Sequence, residues 1–372
     1  DRLAAAIDRV VTQLKRFIDK GFEEDGGCLE GINYWNYGLK HFVIFSEMLR
    51  HRTGGEIDLL ADPKLKAIAA YPTAVHLGGG KYVSFSDANE TASVNPMLAA
   101  SLGDRTGVTA LRDLAADTIT EWNLMGLLHT LAWWDGKRPN AVSTQTIFLP
   151  KSGLARLVDT SAGVPLAVAI KGGSNAEPHN HNDVGSFIVY ADGEIYLCDP
   201  GRGLYTRDYF SKHRYENIFA NSYGHSVPRF GDHLQQAGEA YRGEAEMVDA
   251  HTVKVRFDEA YGIPGLRELE RTLHLEKDRV TLTDKAVFSS DALPMEEAFL
   301  TWLPVEISGG TAKIISPKGV LTLESADGTF EAEPLKEACA ANRKDRLLTR
   351  LRISYPAAPE REVGVTMYYS PK

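Results

Sequence analysis

The sequence predicts an α+β multidomain protein in which consecutive helical hairpins come first and antiparallel β-sandwich layers second. Two observations carry this. Up to residue 138, apolar residues recur at the spacing of amphipathic helices; beyond about Pro139 they alternate with polar residues at period two. A third is length, because 372 residues exceed one ordinary core and call for two or three domains. The expected division is a helical region over 1–138, a central β-sandwich over 139–290 and a C-terminal β-sheet region over 291–372.

In the helical part, Leu3, Ile7, Val10, Leu14 and Phe17 fall on one face, and Gly26-Gly27 follows as a stop. A second helix is expected from about Tyr34 to Arg50, ahead of the Thr53-Gly54-Gly55 break. Asn36, Lys40, Glu47 and Arg50 form its polar stripe, while Tyr34, Tyr37 and His41 share another at i, i+3 and i+7. Shorter helical patterns cover Pro63–Tyr71, Pro96–Leu102, Val108–Asp117 and Leu124–Trp133. Period-two runs follow at Ser186–Ala191, Glu194–Cys198, Thr252–Phe257, Leu273–Phe288, Val320–Glu324 and Thr349–Tyr355. Asp192-Gly193 between the first two is a hairpin turn signal.

Hydrophobic residues make up 43% and charged residues 24% of the chain, the composition of a soluble globular protein. No run of about 18 apolar residues is present, so no membrane insertion is expected. A net charge of −9 argues against a nucleic-acid partner. It leaves room for an acidic sugar chain, since a cleft can be locally positive on an acidic protein. Cys28, Cys198 and Cys339 lack metal-type spacing, make no disulfide framework and read as small buried hydrophobes. The chain opens on Asp1 with helix already at Leu3, so it reads as an excised or processed piece whose signal region would lie outside it.

The densest polar cluster is Glu177-Pro178-His179-Asn180-His181-Asn182-Asp183. On an extended segment, histidines at i and i+2 point to one side. With Asp192 and Gly193 as loop residues, Ala191 pairs with Glu194 and Ser186 with Asp199, which returns Asp199 toward His181. Adding His225 from Asn221-Ser222-Tyr223-Gly224-His225-Ser226 gives two imidazoles and a carboxylate, a set suited to zinc with water as fourth ligand. The alternative is a hydrogen-bonded loop without metal. A second cluster runs from Asp25 to Gly38, where glycines and acids precede Tyr34 and Tyr37; aromatics at a helix start also serve as core. A third, Arg202, Arg207, Arg214 and Tyr215, reads either as a solvated basic loop or as guanidinium forks for carboxylate.

Together these segments resemble the heparinase II/III-type polysaccharide lyases, which include alginate and glycosaminoglycan lyases. The resemblance rests on Glu30-Gly31 followed by Tyr34, on His179-Asn180-His181-Asn182-Asp183-Val184-Gly185-Ser186-Phe187, on Asp199, and on Asn221 to Pro228. It implies an α/α toroid, incomplete in this chain, followed by β-sandwich domains. It also implies catalytic roles for Tyr34 and His179 at a cleft between helical and sheet domains, and a mainly structural zinc on His181, Asp199 and His225. Glu30, Asn36, Tyr37, Arg202 and Tyr215 are the implied substrate-binding residues. Asn36 stands where some alginate-acting members have arginine. The family's Asn-His pair, which neutralises the uronate carboxylate, lies further before Tyr34 than the 33 residues present, so that half of the site is expected outside the chain.

The expected activity is β-elimination on a uronic-acid polysaccharide of the alginate, heparin or heparan type, with zinc as a structural cofactor and no organic cofactor. Two alternatives remain open at this point. One is a glycoside hydrolase using Glu30 with Glu177 or Asp183 as paired carboxylates; the other is a non-catalytic carbohydrate-binding protein. The expected partner is an anionic polysaccharide or oligosaccharide, homo-oligomerisation is left open, and the expected location is periplasmic or secreted, with the cytoplasm as the alternative.

Overall fold

The computed structural model describes residues 2–117, 124–138, 140, 142 and 144–372. They form two compact units. One holds the residues up to His76 together with Thr91–Thr144; the other holds Leu77–Glu90 together with Gln145–Lys372. The class is α+β, with the helical elements concentrated in the first unit and a mostly β second unit. Strands on both sides of residue 290 share one nine-stranded sheet, so 139–290 and 291–372 are not separate units. The expected boundary at Pro139 falls outside the described residues. Among the described residues no helix is long and apolar enough to cross a membrane.

The first unit contains α1 (Arg2–Lys20), α2 (Ile32–Arg52), α3 (Lys64–Val75), α4 (Pro96–Thr106), α5 (Ala110–Asp113) and α6 (Leu124–Trp133). α2 begins directly after Gly31, whose φ of 87° suits a residue without Cβ. It buries Trp35, Leu39, Phe42, Val43 and Leu49, and the Trp35 indole donates to the Ile68 carbonyl at 2.8 Å, which satisfies its one polar atom. α4 opens with Pro96 in its first turn and is capped by Asn95, whose side chain accepts from Met97 N at 2.9 Å. The helix expected over Val108–Asp117 shortens to α5, because Ala115 leaves it to bridge Val94.

In the second unit a five-stranded antiparallel meander runs Ile147–Leu149, Leu154–Asp159, Leu166–Lys171, Phe187–Ala191 and Glu194–Leu197. The nine-stranded sheet has at its centre the long pair Leu266–Glu276 and Arg279–Phe288; the expected run Leu273–Phe288 takes in the end of the first and all of the second. Lys277, at φ 59°, makes the turn that separates them. A four-stranded sheet adds Phe330–Pro334, Thr349–Tyr355, Met295–Thr301 and Arg229–Phe230. Side chains from these three sheets share one core, among them Leu157, Val168, Phe187, Leu273, Leu282, Phe299 and Leu351.

The hairpin at Asp192-Gly193 forms with both residues at positive φ, 46° and 87°, as a two-residue turn of the primed type requires. Ala191 pairs with Glu194 as expected, but the register shifts between Tyr190 and Val189 and the pairing ends at Val189–Leu197. The expected Ser186–Asp199 pair therefore does not form. Cys198 N instead donates to Leu300 O at 2.9 Å, carrying the chain across to the four-stranded sheet.

One buried cation ties the core to the loops that matter most. Arg271, on a central strand, pairs with Asp284 at 2.6 Å and Glu297 at 2.7 Å, all three fully buried. Its remaining donors reach the carbonyls of Gly185 and Ser226, at 2.8 and 2.6 Å. Ser226 directly follows His225, and Gly185 lies in the same motif as His181. Burial raises the Glu297 carboxyl well above its ordinary value, the neighbouring Asp284 charge adds to the rise, and Arg271 opposes it. Replacing Arg271 by Met should destabilise the unit by about 3–5 kcal/mol, because Asp284 is left buried without its cation. Denaturant unfolding measures this, and unchanged stability would show that the core does not need the cation.

Candidate active site and metal centre

The segment Glu177–Phe187 gives several residues of its motif distinct roles. Asn180 N donates to Glu177 O at 3.1 Å and His179 sits at φ 55°, so the segment is a tight turn and not the extended strand expected from sequence. Asp183 is fully buried and accepts from Lys171 Nζ at 2.7 Å; Glu177 lies 3.1 Å from the same ammonium. Burial works against the Lys171 charge, but Asp183 and Glu177 outweigh it and hold its pKa above the usual value. Gly185 has φ 87°, and a Cβ there would stand 2.7 Å from the Phe257 ring, so glycine is required on both conformational and steric grounds. Phe187 closes the motif in the core, with the Arg271 guanidinium 5.1 Å from its ring centroid.

His179 and His181 share a partner that the sequence analysis did not single out. Asp87, with a fully buried carboxylate, has Oδ2 2.7 Å from His179 Nδ1 and Oδ1 3.0 Å from His181 Nε2. Tyr205 donates to Oδ2 at 3.0 Å, Tyr209 to Oδ1 at 2.8 Å and Arg214 Nη2 to Oδ1 at 3.1 Å. Burial alone would raise the Asp87 carboxyl, but the His179 and His181 bonds and the Arg214 charge hold it well below the ordinary carboxylate range. Its segment is fixed to the rest of the site by Ser84, which donates to Asp199 O at 3.1 Å.

The three expected metal ligands do converge. His181, Asp199 and His225 are buried, and one ligand atom from each lies within 4.8 Å of the others. His225 Nδ1 stands 2.8 Å from Asp199 Oδ2. His181 Nδ1 and His225 Nε2 are buried without a hydrogen-bond partner, and such nitrogens are costly unless something accepts their lone pair or proton. Burial lowers the His181 pKa against the pull of Asp87, favouring the neutral ring that a metal needs. At His225 burial opposes charge as well, but Asp199 raises its pKa overall. Two imidazoles, a carboxylate and orphaned ring nitrogens are a donor set that fits zinc.

Around His179, which is 23% exposed on its side chain, lie the expected binding residues of this unit. Arg202 is half-buried with its guanidinium 4.3 Å from the Tyr205 ring centroid. The Tyr215 hydroxyl accepts from Asn180 Nδ2 at 3.3 Å, so it braces the histidine turn. Arg214, one of the basic residues noted in sequence, spends its fork on Asp87 and the Asn180 carbonyl and stacks over Tyr209.

In the helical unit Tyr34 is half-buried, and it is Trp35 that supplies the core side chain at the start of α2. Glu30 is half-buried in the loop just before that helix. A cavity of about 570 Å³ is lined by Asn33, Asn36, Tyr37, Lys40, Ser93 and Asn95, among others. The Asn36 amide is engaged with backbone, donating to Ser93 O at 3.1 Å and accepting from Asn95 N at 3.1 Å; it shapes the cavity wall. Tyr37, 67% exposed, offers a ring on that wall.

Comparison with solved structures gives the fold. A heparinase III with methylated lysines superposes with a TM-score of 0.73 at 12% identity, covering 97% of this chain and 55% of that one. A mutant of the heparan sulfate lyase HepC from Pedobacter heparinus gives 0.71 at 13% identity, covering 97% and 56%. A further heparinase III gives 0.66 at 14% identity, covering 96% and 56%. The chain has the heparinase III fold. It spans a little over half the length of these structures. No family model and no curated protein matches it by sequence.

The Asp87 cluster also predicts a stability effect. Tyr209→Phe deletes a buried hydroxyl that donates to Asp87 and accepts from Gly203 N at 3.1 Å. The loss should be about 1.5–3 kcal/mol, the scale of a hydrogen bond to a charged group. Thermal or denaturant unfolding of the variant measures it, and a wild-type value would show that Asp87 does not depend on this donor.

Proposed function

We propose that the chain is the greater part of a polysaccharide lyase acting on uronic-acid polysaccharide of the heparin, heparan or alginate type. The observation that carries this reading is His179, a partly exposed imidazole anchored through Nδ1 to a buried carboxylate beside a convergent His181–Asp199–His225 set. The shared heparinase III fold supports it. On this reading the helices belong to an α/α toroid and the sheets pack as β-sandwich domains.

Such a lyase removes the C5 proton of a uronate and expels the oxygen at C4, leaving a C4–C5 double bond. The C5 proton is weakly acidic because the neighbouring carboxylate is already negative. A base, an acid and a group that neutralises the carboxylate are therefore needed, and positioned acid–base groups contribute roughly 10²–10⁴-fold. His179 takes the C5 proton, and the Tyr34 hydroxyl protonates the departing oxygen; for the opposite C5 stereochemistry Tyr34 serves both roles. Arg202 answers the uronate charge, and the exposed Tyr37 ring gives a sugar face an apolar platform. The hydrolase alternative loses ground here, since Glu177 and Asp183, the two expected partners of Glu30, are both committed to the Lys171 ammonium. A secreted or periplasmic setting goes with a polysaccharide substrate.

We assign zinc to His181, Asp199 and His225 in a structural role. When bound, the ion would tie three separate loops together and supply folding free energy. Metal analysis of protein prepared without chelator should find about one zinc per chain. His181→Ala should lose that metal and lower the melting temperature by several degrees. Metal-free protein, or an unaltered melting temperature in the variant, would contradict the assignment.

Activity is tested in full-length protein against alginate, heparan, chondroitin and hyaluronan, followed by the ultraviolet absorbance of the unsaturated uronate. Tyr34→Phe and His179→Ala should each lower turnover by at least about 100-fold while oligosaccharide binding stays near wild type. Near-normal turnover in both variants would remove the mechanism.

A further inference from the structure

Asp87 lies 92 residues before His179 in sequence, and each of its oxygens meets a different histidine. Oδ2 takes Nδ1 of His179, and Oδ1 takes Nε2 of His181. The two rings are thus gripped by opposite nitrogens. An ionised carboxylate only accepts hydrogen bonds, so each contacting ring nitrogen must carry the proton. The tyrosine hydroxyls and Arg214 fill the remaining lone-pair positions, so neither oxygen is available to turn away.

We propose that Asp87 is a positioning residue that sets the tautomers of both histidines in opposite senses. His179 carries its proton on Nδ1 and presents Nε2 as its basic nitrogen; His181 carries its proton on Nε2 and presents Nδ1. The second half agrees with an independent observation, because Nδ1 is the His181 nitrogen left buried without a partner, on the ring that belongs to the metal-type cluster. The first half deepens the lyase reading and rests on it: a general base needs its lone pair on the solvent-reaching side, and a ring flipped by the wrong tautomer would offer an N–H where a proton must be accepted. One carboxylate thereby links the orientation of the base to the loop that holds the metal-type ligands. Carboxylates that orient a working imidazole in this way are worth roughly 10–100-fold when removed.

The test has two arms on full-length protein. Long-range ¹⁵N–¹H correlation of the histidine rings in the wild type reads the tautomers directly and needs no substrate. The expected result is an Nδ1–H tautomer for His179 and an Nε2–H tautomer for His181, with His179→Gln and His181→Gln used only to assign the signals. An Nε2–H ring at His179, or an Nδ1–H ring at His181, overturns the proposal whatever the protein's activity. In the second arm, Asp87→Asn keeps the size of the side chain but puts an amide N–H₂ where one imidazole must donate. Its kcat on the cleaved polysaccharide should fall by about 30–100-fold with KM within about threefold. An unchanged kcat overturns the proposal. So does a loss carried wholly in KM. Absence of any cleavage by the wild type would defeat the lyase reading and leave the tautomer arm standing.

Discussion

An ionised carboxylate cannot remain in a protein interior unless donors surround it, and the Asp87 side chain is buried and ionised. The donors it gathers come from elements far apart in sequence: the Glu177–Asp183 turn, the Tyr205–Tyr209 stretch and Arg214. Each of those loops lacks regular structure long enough to hold itself in place. The charge therefore works as an anchor, and the price of removing it from water is offset only when all of its partners are in position. That requirement gives His179 a defined orientation while part of its ring still reaches solvent.

A second buried charge does the same at the other end of the loops. Arg271 sits on the nine-stranded sheet and donates to carbonyls just after the two histidine segments. The Lys171–Asp183–Glu177 cluster adds a third point, this time on the five-stranded meander. Buried ion pairs are poor sources of net stability compared with apolar packing. Here they specify where irregular backbone lies on a sheet core that is otherwise built from Leu, Val and Phe.

Much of this was legible in the sequence. The change from period 3.6 to period two separated helices from strands, the Asp192-Gly193 signal placed a real hairpin, and His181, Asp199 and His225 do converge. The route was less legible than the destination. Asp199 arrives through a register shift and a crossing to another sheet, not through the Ser186 pairing that a regular hairpin implied. His179 and His181 meet Asp87 because His179 adopts a left-handed conformation, which no residue-type pattern signals for histidine. Asp87 itself stands in Val83-Ser84-Phe85-Ser86-Asp87, where a carboxylate following two serines reads as loop. Only tertiary structure brings it to its partners.

The central claim is that this site eliminates across C4 and C5 of a uronate. Mass spectrometry of the cleavage products, read at the new non-reducing end, tests it most directly. The account predicts that full-length protein releases oligosaccharides whose new non-reducing uronate lacks the elements of water and carries a C4–C5 double bond. A saturated uronate with a hydroxyl at C4 on every new non-reducing end would mark hydrolysis and contradict it.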